Sequence, residues 1–298
     1  MRGRVGKTAT RTGAVLALLL AACAGGCSKS ERPGGGDAAA PTPKEGEDTL
    51  ARIKREGVLK WGADPSGGGP HVYLDEKDPA RIVGFEVEIM DKFAAHLGVK
   101  HRIARNDWDV LIPDLQRGSS DLVMNGVEIN ADREKEVGFS KPYFIYEQQL
   151  TVRAGDKDKY KSLEDLKGHK IATLKAAQAN NVLGEAGWTK DLIQQMPDSV
   201  TPYDELENKR VDAVLQENII AEFYANPKRR PDLHNLPTTF SPGKYAVAMR
   251  KEDVALLKEV DRVLDLMKGN GELAEIYKRW DMWNAKQTEI GIRERAAR

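Results

Sequence analysis

Apolar positions along this chain follow two rhythms, and the rhythms alternate. A helical spacing of i, i+3, i+4, i+7 at Met90, Phe93, Ala94 and Leu97 predicts a helix closed by Gly98. The clearest helix is marked by Leu256, Val260, Val263, Leu264 and Met267, and Gly269-Asn270-Gly271 breaks it. Leu273, Ile276, Tyr277 and Trp280 then define a final helix. Shorter helices are expected over residues 50–56, 110–116, 162–166 and 219–224, with others opening near Ala179 and at Thr201. Between them lie short apolar runs bounded by glycine, proline and charge. Residues 58–62, 99–104, 121–124, 170–174, 211–216 and 244–249 predict strands, residues 147–153 an extended segment, and residues 227–242 a loop. Strand and helix alternate twice over with no internal repeat. That order predicts an α/β fold of two units, each a mainly parallel sheet flanked by helices.

In open α/β sheets, ligands bind just past the carboxyl ends of strands. Several such connections here carry chemistry. The stretch from Trp108 to Arg133 runs from a large aromatic through a short helix and a strand into Asn125, Gly126, Glu128 and Arg133. An arginine can grip a carboxylate with two parallel hydrogen bonds, and an indole supplies an apolar wall. Taken singly, each has a plainer explanation: a surface arginine paired with Asp132 or Glu134, and a core tryptophan. The loop Asp64-Pro65-Ser66-Gly67-Gly68-Gly69-Pro70 ends the first strand, with neither dinucleotide-binding nor P-loop spacing. Residues 175–178 precede a helix whose first free N–H groups form an anion site. Glu217 ends a strand and opens a helix, where an acid can also serve its own helix dipole.

Composition narrows the class. The chain has 298 residues, enough for two lobes, and its 46 Lys plus Arg balance 46 Asp plus Glu. A net charge of zero argues against a nucleic-acid partner, which demands a basic face. Cys23 and Cys27 both lie near the start, so the body has no disulfide, Cys-ligated zinc or thiol nucleophile. A basic beginning and a short apolar run mark residues 1–22 as a signal peptide. Leu20-Ala21-Ala22-Cys23 is similar to the lipobox of bacterial lipoproteins, with Cys27 the alternative lipidation site. Residues 23–49, rich in Gly, Pro, Ala and charge, read as a flexible tether.

An ordered set of motifs then resembles family 3 of the bacterial solute-binding proteins, the extracytoplasmic receptors of polar-amino-acid ABC importers. It comprises Gly57-Val58-Leu59-Lys60-Trp61-Gly62, Val83-Gly84-Phe85-Glu86-Val87-Glu88, Asp107-Trp108-Asp109-Val110-Leu111-Ile112-Pro113, Phe139-Ser140-Lys141-Pro142-Tyr143, Ser162-Leu163-Glu164-Asp165-Leu166-Lys167-Gly168 and Arg210-Val211-Asp212-Ala213-Val214. The resemblance spans about residues 50 to 285. It implies a periplasmic-binding-protein clamshell with residues 50–145 plus 243–298 as lobe 1, residues 146–242 as lobe 2, and a two-strand hinge between them. Hinge closure around a polar amino acid would present the loaded receptor to a permease in the inner membrane. The resemblance further implies a monomer in the periplasm or cell envelope, lipid-anchored to a membrane and requiring no cofactor or metal.

The resemblance also assigns the site. Arg133 stands where an arginine grips the ligand's α-carboxylate, Trp108 where an aromatic packs on the ligand, and Glu217 where a carboxylate meets the α-ammonium. Asn125 and Gly126 occupy polar strand-end positions, Ala177 and Gln178 a helix N-terminus that meets the carboxylate, and Asp64 the first strand-end loop. Three positions depart from the pattern. The aromatic lid is absent or replaced by His71 or Tyr73. Glu128 stands where Ser or Thr is usual, suggesting either a cationic ligand group or another route for binding the ammonium. Ala177 removes a hydroxyl, with Lys175 or Gln178 compensating. On this reading Arg133→Ala abolishes amino-acid binding and leaves the fold intact. No catalytic motif appears and the five histidines are scattered. The alternatives are a cyclohexadienyl-dehydratase-like enzyme using Glu128 or Glu217 as an acid, and a ligand-sensing module.

Overall fold

The computed structural model describes residues 48–295. The expected signal peptide, most of the tether, Cys23 and Cys27 lie outside the described residues. The strands are β1 (Val58–Ala63), β2 (Tyr73–Leu74), β3 (Ile82–Val83), β4 (Lys100–Arg105), β5 (Leu122–Val123), β6 (Gly138–Phe139), β7 (Phe144–Arg153), β8 (Ile171–Leu174), β9 (Ile193–Met196), β10 (Ala213–Glu217), β11 (Leu233–Tyr245) and β12 (Ala248–Met249). The helices are α1 (Thr49–Glu56), α2 (Phe85–Leu97), α3 (Leu111–Gln116), α4 (Ala131–Glu136), α5 (Gln178–Glu185), α6 (Thr201–Glu207), α7 (Asn218–Tyr224), α8 (Val254–Gly269) and α9 (Glu272–Arg279). Asp48 caps α1 by accepting from Ala51 N, so Asp48 and Thr49 belong to the folded body and not to the tether.

Two five-stranded sheets organise the molecule, in the orders β4-β1-β5-β12-β6 and β11-β7-β10-β8-β9. We call the body built on each sheet a lobe. Both sheets are mixed. Strands reached through a helix (β4, β5, β9, β10) pair in parallel with β1 or β8. Strands arriving by a direct extended crossing enter antiparallel: β12 beside β5 and β6, and β7 beside β10 and β11. A parallel neighbour needs a long crossover, and a direct crossing has none. The sheets are therefore less uniformly parallel than the strand–helix alternation suggests.

Three local expectations are corrected. Residues 227–242, read as loop, contain most of β11, a 13-residue strand antiparallel to β7. Its Asn235-Leu236-Pro237-Thr238-Thr239 portion reads as a loop because proline removes a ladder donor. The strand accommodates it with a register shift between Asn235 and Thr239. Residues 244–249 are not one strand: β11 ends at Tyr245 and β12 begins at Ala248. The helix expected over residues 162–166 is a single 3-10 turn, Glu164–Leu166.

One hydrophobic core runs through the middle of the molecule. It holds Trp61, Phe85 and Tyr277 from the first lobe, Tyr203 and Val214 from the second, and Phe144, Tyr146 and Tyr245 from the paired strands that join them. Tyr146 and Tyr245 stack at 4.6 Å. Gln287, wholly buried, both donates to Ile145 O (2.8 Å) and accepts from Ile145 N (2.9 Å), clasping β7 where it enters.

Candidate binding cleft

The site is assembled from strand-end loops of both sheets. Trp61, buried in β1, donates its indole N–H to Met124 O (2.7 Å) and fixes the turn after β5. That turn presents Asn125, whose Oδ1 accepts from Asp64 N (2.6 Å), so the loops after β1 and β5 are locked together. Gly126 has φ of 65°, and a Cβ there would lie 2.6 Å from His71 Nε2, so close approach and backbone conformation both require glycine. Residues 127–129 then run beside the end of β11: Ala246 N donates to Val127 O (3.0 Å) and Ile129 N to Lys244 O (2.9 Å). This holds Glu128 opposite Tyr245 in an isolated bridge. Arg133 is carried by α4, which Asn130 caps through Arg133 N (2.9 Å).

Gly126 N also donates to Glu86 (2.8 Å), a fully buried carboxyl that accepts from the Tyr143 hydroxyl. Burial pushes Glu86 up to about 8 from 4.5, against the pull of those two hydrogen bonds. The sign follows from linkage. A carboxyl whose folded pKa is raised stabilises the protein fully below its unfolded value near 4.5. That contribution is lost as pH rises through about 8. Between those limits each such group removes about 1.4 kcal/mol per pH unit. Urea unfolding at about pH 5, 6.5 and 8 is therefore expected to show a shallower decline for Glu86→Gln than for the wild type. Equal slopes would remove this role.

A cavity of about 30 Å³, measured as space open to the centre of a water molecule, lies between the lobes. As closed here it has room for one or two waters, so a ligand of several heavy atoms requires the lobes to part further. Asp64, Gly67, Gly68, His71, Trp108, Asn125, Gly126 and Glu128 line it from the first lobe, Leu174, Ser199, Glu217 and Ile220 from the second, and Tyr245 from the joining strand. Asp64 accepts from Ser66 N (2.9 Å), Gly67 N (2.9 Å) and Trp108 N (3.0 Å) and so shapes its own loop. Burial still pushes its carboxyl up. Burial drives His71 down to about 3, keeping it neutral despite the nearby Glu128 charge.

Glu128 and Glu217 are 1% and 3% exposed and share a hydrogen bond. Burial, the Glu128 charge and that shared bond drive Glu217 well above the usual carboxylate range. Burial would raise Glu128 too. It is outweighed by the Arg133 guanidinium, the Glu217 hydrogen bond and the Gln178 N–H, and Glu128 falls below its ordinary value. Arg133 Nη1 donates to the Glu128 carboxylate and to Glu128 O (3.0 Å), and Nη2 donates across the cleft to Ala176 O (2.9 Å). Gln178 N, at the start of α5, donates to the other Glu128 oxygen (2.9 Å).

Further contacts bridge the lobes. The Trp108 indole N–H donates to Lys175 O (3.1 Å), while within the first lobe Arg133 lies over the Trp108 ring at 5.3 Å. Ser199 N donates to Gly67 O (2.9 Å), and Gly69 N to the Tyr224 hydroxyl (2.7 Å).

Of the residues expected at the site, Asp64, Trp108, Asn125, Gly126, Glu128 and Glu217 line the cavity. Arg133 and Gln178 stand behind it, reaching it through Glu128. Ala177 is buried at the N-cap of α5. Two candidates fall elsewhere. Lys175 turns outward to Asp109 at the cleft mouth, 57% exposed, where solvation and an acid hold it better than the dry interior would. Tyr73 packs edge-on against Phe223 and Trp280, so of the two possible lid residues it is His71 that faces the cavity. Ser199, Leu174, Ile220 and Tyr245 were not anticipated. Ser199 follows β9, an unforeseen strand, and the strand-end rule would have flagged it had that strand been recognised.

Two lobes of mixed sheet, joined by a two-strand ribbon and closing on a small polar cleft, define an α/β binding protein of the clamshell class. Residues 59–282 match the bacterial extracellular solute-binding proteins, family 3, and the chain belongs to that family. It is 30% identical over 234 residues to the L-cystine-binding protein TcyJ of Escherichia coli K12, covering 78% of this chain and 86% of the relative. A probable histidine-binding protein of Neisseria gonorrhoeae is 30% identical over 240 residues, 79% and 88% of the two chains. Among solved structures, the ancestral amino acid-binding protein AncCDT-1, described as a precursor of cyclohexadienyl dehydratase, superposes with a TM-score of 0.70. It is 29% identical and covers 78% of this chain and 99% of that one.

Proposed function

We propose that this protein is the extracytoplasmic receptor of an ABC importer, binding a small amino-bearing polar solute between its lobes and delivering it to an inner-membrane permease. Amino acids, the ligands named for its relatives, are the reference class. On this reading residues 50–145 plus 243–298 form lobe 1, residues 146–242 lobe 2, and the ribbon of β7 and β11 the hinge. A lipid on Cys23, or alternatively Cys27, ties a monomeric receptor to the membrane through the preceding tether. The observation that carries the reading is the cavity, walled from both lobes by Glu128, Glu217, Trp108 and His71. Its walls come together only when the lobes meet, so binding and closure are coupled.

A thermal-shift screen against amino acids, amines and dicarboxylates tests this. A ligand at about 100 times its Kd is expected to add roughly 2.7 kcal/mol of stability. No shift from any of them would count against the receptor. The dehydratase alternative has one specific support, a buried Glu217 that lines the cavity and whose carboxyl burial and the Glu128 charge push up. Turnover of prephenate by the purified protein would establish it.

A further inference from the structure

The anion cradle at the cleft is already filled by the protein itself. Its parts are the guanidinium of Arg133 and the first N–H of α5, a combination that holds a carboxylate through charge and two hydrogen-bond directions. The carboxylate it holds belongs to Glu128: Arg133 Nη1 grips one oxygen and Gln178 N the other, at 2.9 Å. Two more of the arginine's donors are engaged by backbone carbonyls. Nη1 also donates to Glu128 O (3.0 Å) and Nη2 to Ala176 O (2.9 Å). Glu128 is in no position to drift. Its backbone lies opposite Tyr245, and its neighbour Ile129 N donates to Lys244 O (2.9 Å).

What the cavity leaves for a ligand has the opposite character. Glu217, Tyr245 and His71 all border it. Tyr245 Oη and His71 Nε2 are buried and have no hydrogen-bond partner among the described residues. Lys175, the one further cation expected here, points outward to Asp109. Among the described residues no lysine or arginine lines the cavity wall. A carboxylate entering this space meets three carboxyls, Asp64, Glu128 and Glu217, and no lysine or arginine in the lining. An ammonium, which has donors and no acceptor, meets acceptors. A buried charge needs a partner of opposite sign, and Glu217 supplies one by giving up its proton to solvent when the ammonium arrives.

We infer that the cleft takes a small organic amine that carries no carboxylate, with Glu128 occupying the seat that a ligand carboxylate needs. The inference rests on the receptor reading and narrows it to a ligand class that the amino acids named for the relatives do not include.

Matched pairs test it. Putrescine and ornithine, cadaverine and lysine, and agmatine and arginine differ only in the carboxylate. Calorimetric titration of the purified protein with all six is expected to show the decarboxylated member of at least one pair binding tenfold or more tighter than its partner. Glu128→Ser, its fold checked by circular dichroism, is expected to reverse that preference, because Arg133 and Gln178 N then face the ligand. Binding of ornithine, lysine, arginine or any other amino acid as tightly as the matching amine, or in its absence, overturns the inference and leaves the receptor reading in place. Silence across amines and amino acids alike removes both.

Discussion

Arg133→Ala is expected to destabilise the protein by about 3–5 kcal/mol at neutral pH, the range measured when one partner of a buried ion pair is deleted. Glu128 is 1% exposed and hydrogen-bonded to the Glu217 carboxyl, and Arg133 is the cation that keeps it ionised. Without that cation two buried carboxyls face each other, and burial lifts Glu128 in place of the guanidinium lowering it. The damage therefore has a pH signature. A raised carboxyl retains its stabilising effect below about 4.5 and loses it as pH rises, so the variant falls further behind the wild type at about pH 8 than at about pH 5. Adding Glu128→Gln removes the orphaned charge and is expected to recover most of the loss, giving a large coupling energy in a double-mutant cycle. Urea unfolding of the four proteins at both pH values is the measurement. A variant within about 0.5 kcal/mol of wild type at high pH would show that the pair contributes nothing. The same measurement tests the expectation drawn from sequence, that Arg133→Ala abolishes amino-acid binding and leaves the fold intact.

Gly68→Ala is expected to cost on the order of a hundredfold in ligand affinity while leaving each lobe folded. A Cβ at Gly68 would lie 2.2 Å from the Tyr224 hydroxyl of the opposite lobe, and the residue has φ of 101°. Tyr224 cannot retreat cheaply, because its hydroxyl receives the Gly69 N–H at 2.7 Å and its ring lies in the core beside Tyr203 and Phe223. Overpacking of this kind costs roughly 1–3 kcal/mol, and about 1.4 kcal/mol is a tenfold change in affinity. The penalty falls on the closed arrangement, since the clash exists only where the loops meet. Small-angle scattering should show an expanded particle that ligand no longer compacts. Gly155→Ala, with nothing within 4 Å and no positive φ, is the control. Unchanged affinity and scattering in Gly68→Ala would mean the glycine loop has no part in closure.

Those two positions also mark the limits of what was readable in the chain. Periodicity located α2, α8 and α9, because their apolar stripes repeat over several turns. The strand-end rule brought Asp64, Trp108, Asn125, Glu128 and Glu217 to one place, because α/β topology fixes where loops converge. What escaped depends on partners distant in sequence. β11 contains Pro237 and reads as a loop until β7 is beside it. Lys175 turned outward because Asp109, from the other lobe, waits at the mouth. Glu128 was recognised as unusual, but composition alone could not tell whether it serves a ligand or the protein. We assign it to the protein from the side chain's reach to Arg133 and to the first amide of α5. The glycine loop, noted for the aromatic it lacks, matters for the space it leaves to Tyr224.

The connectivity of the two sheets sets an order of assembly. Every strand of the second sheet, from Phe144 to Tyr245, comes from one continuous stretch. The first sheet is interrupted: β12 bridges β5 and β6, pairing Ala248 with Val123 and with Phe139, and α8 and α9 supply its cover of Leu256, Val260, Val263 and Tyr277. A chain emerging from its amino end can complete the second lobe while the first still lacks its closing strand and helical cover. The half-built sheet must wait with β5 and β6 unjoined, and closing that gap late over a long loop is a slow kind of contact to form. As the chain emerges, the first lobe is thus the last part of the molecule to become resistant to proteolysis, although its sequence is the first to arrive.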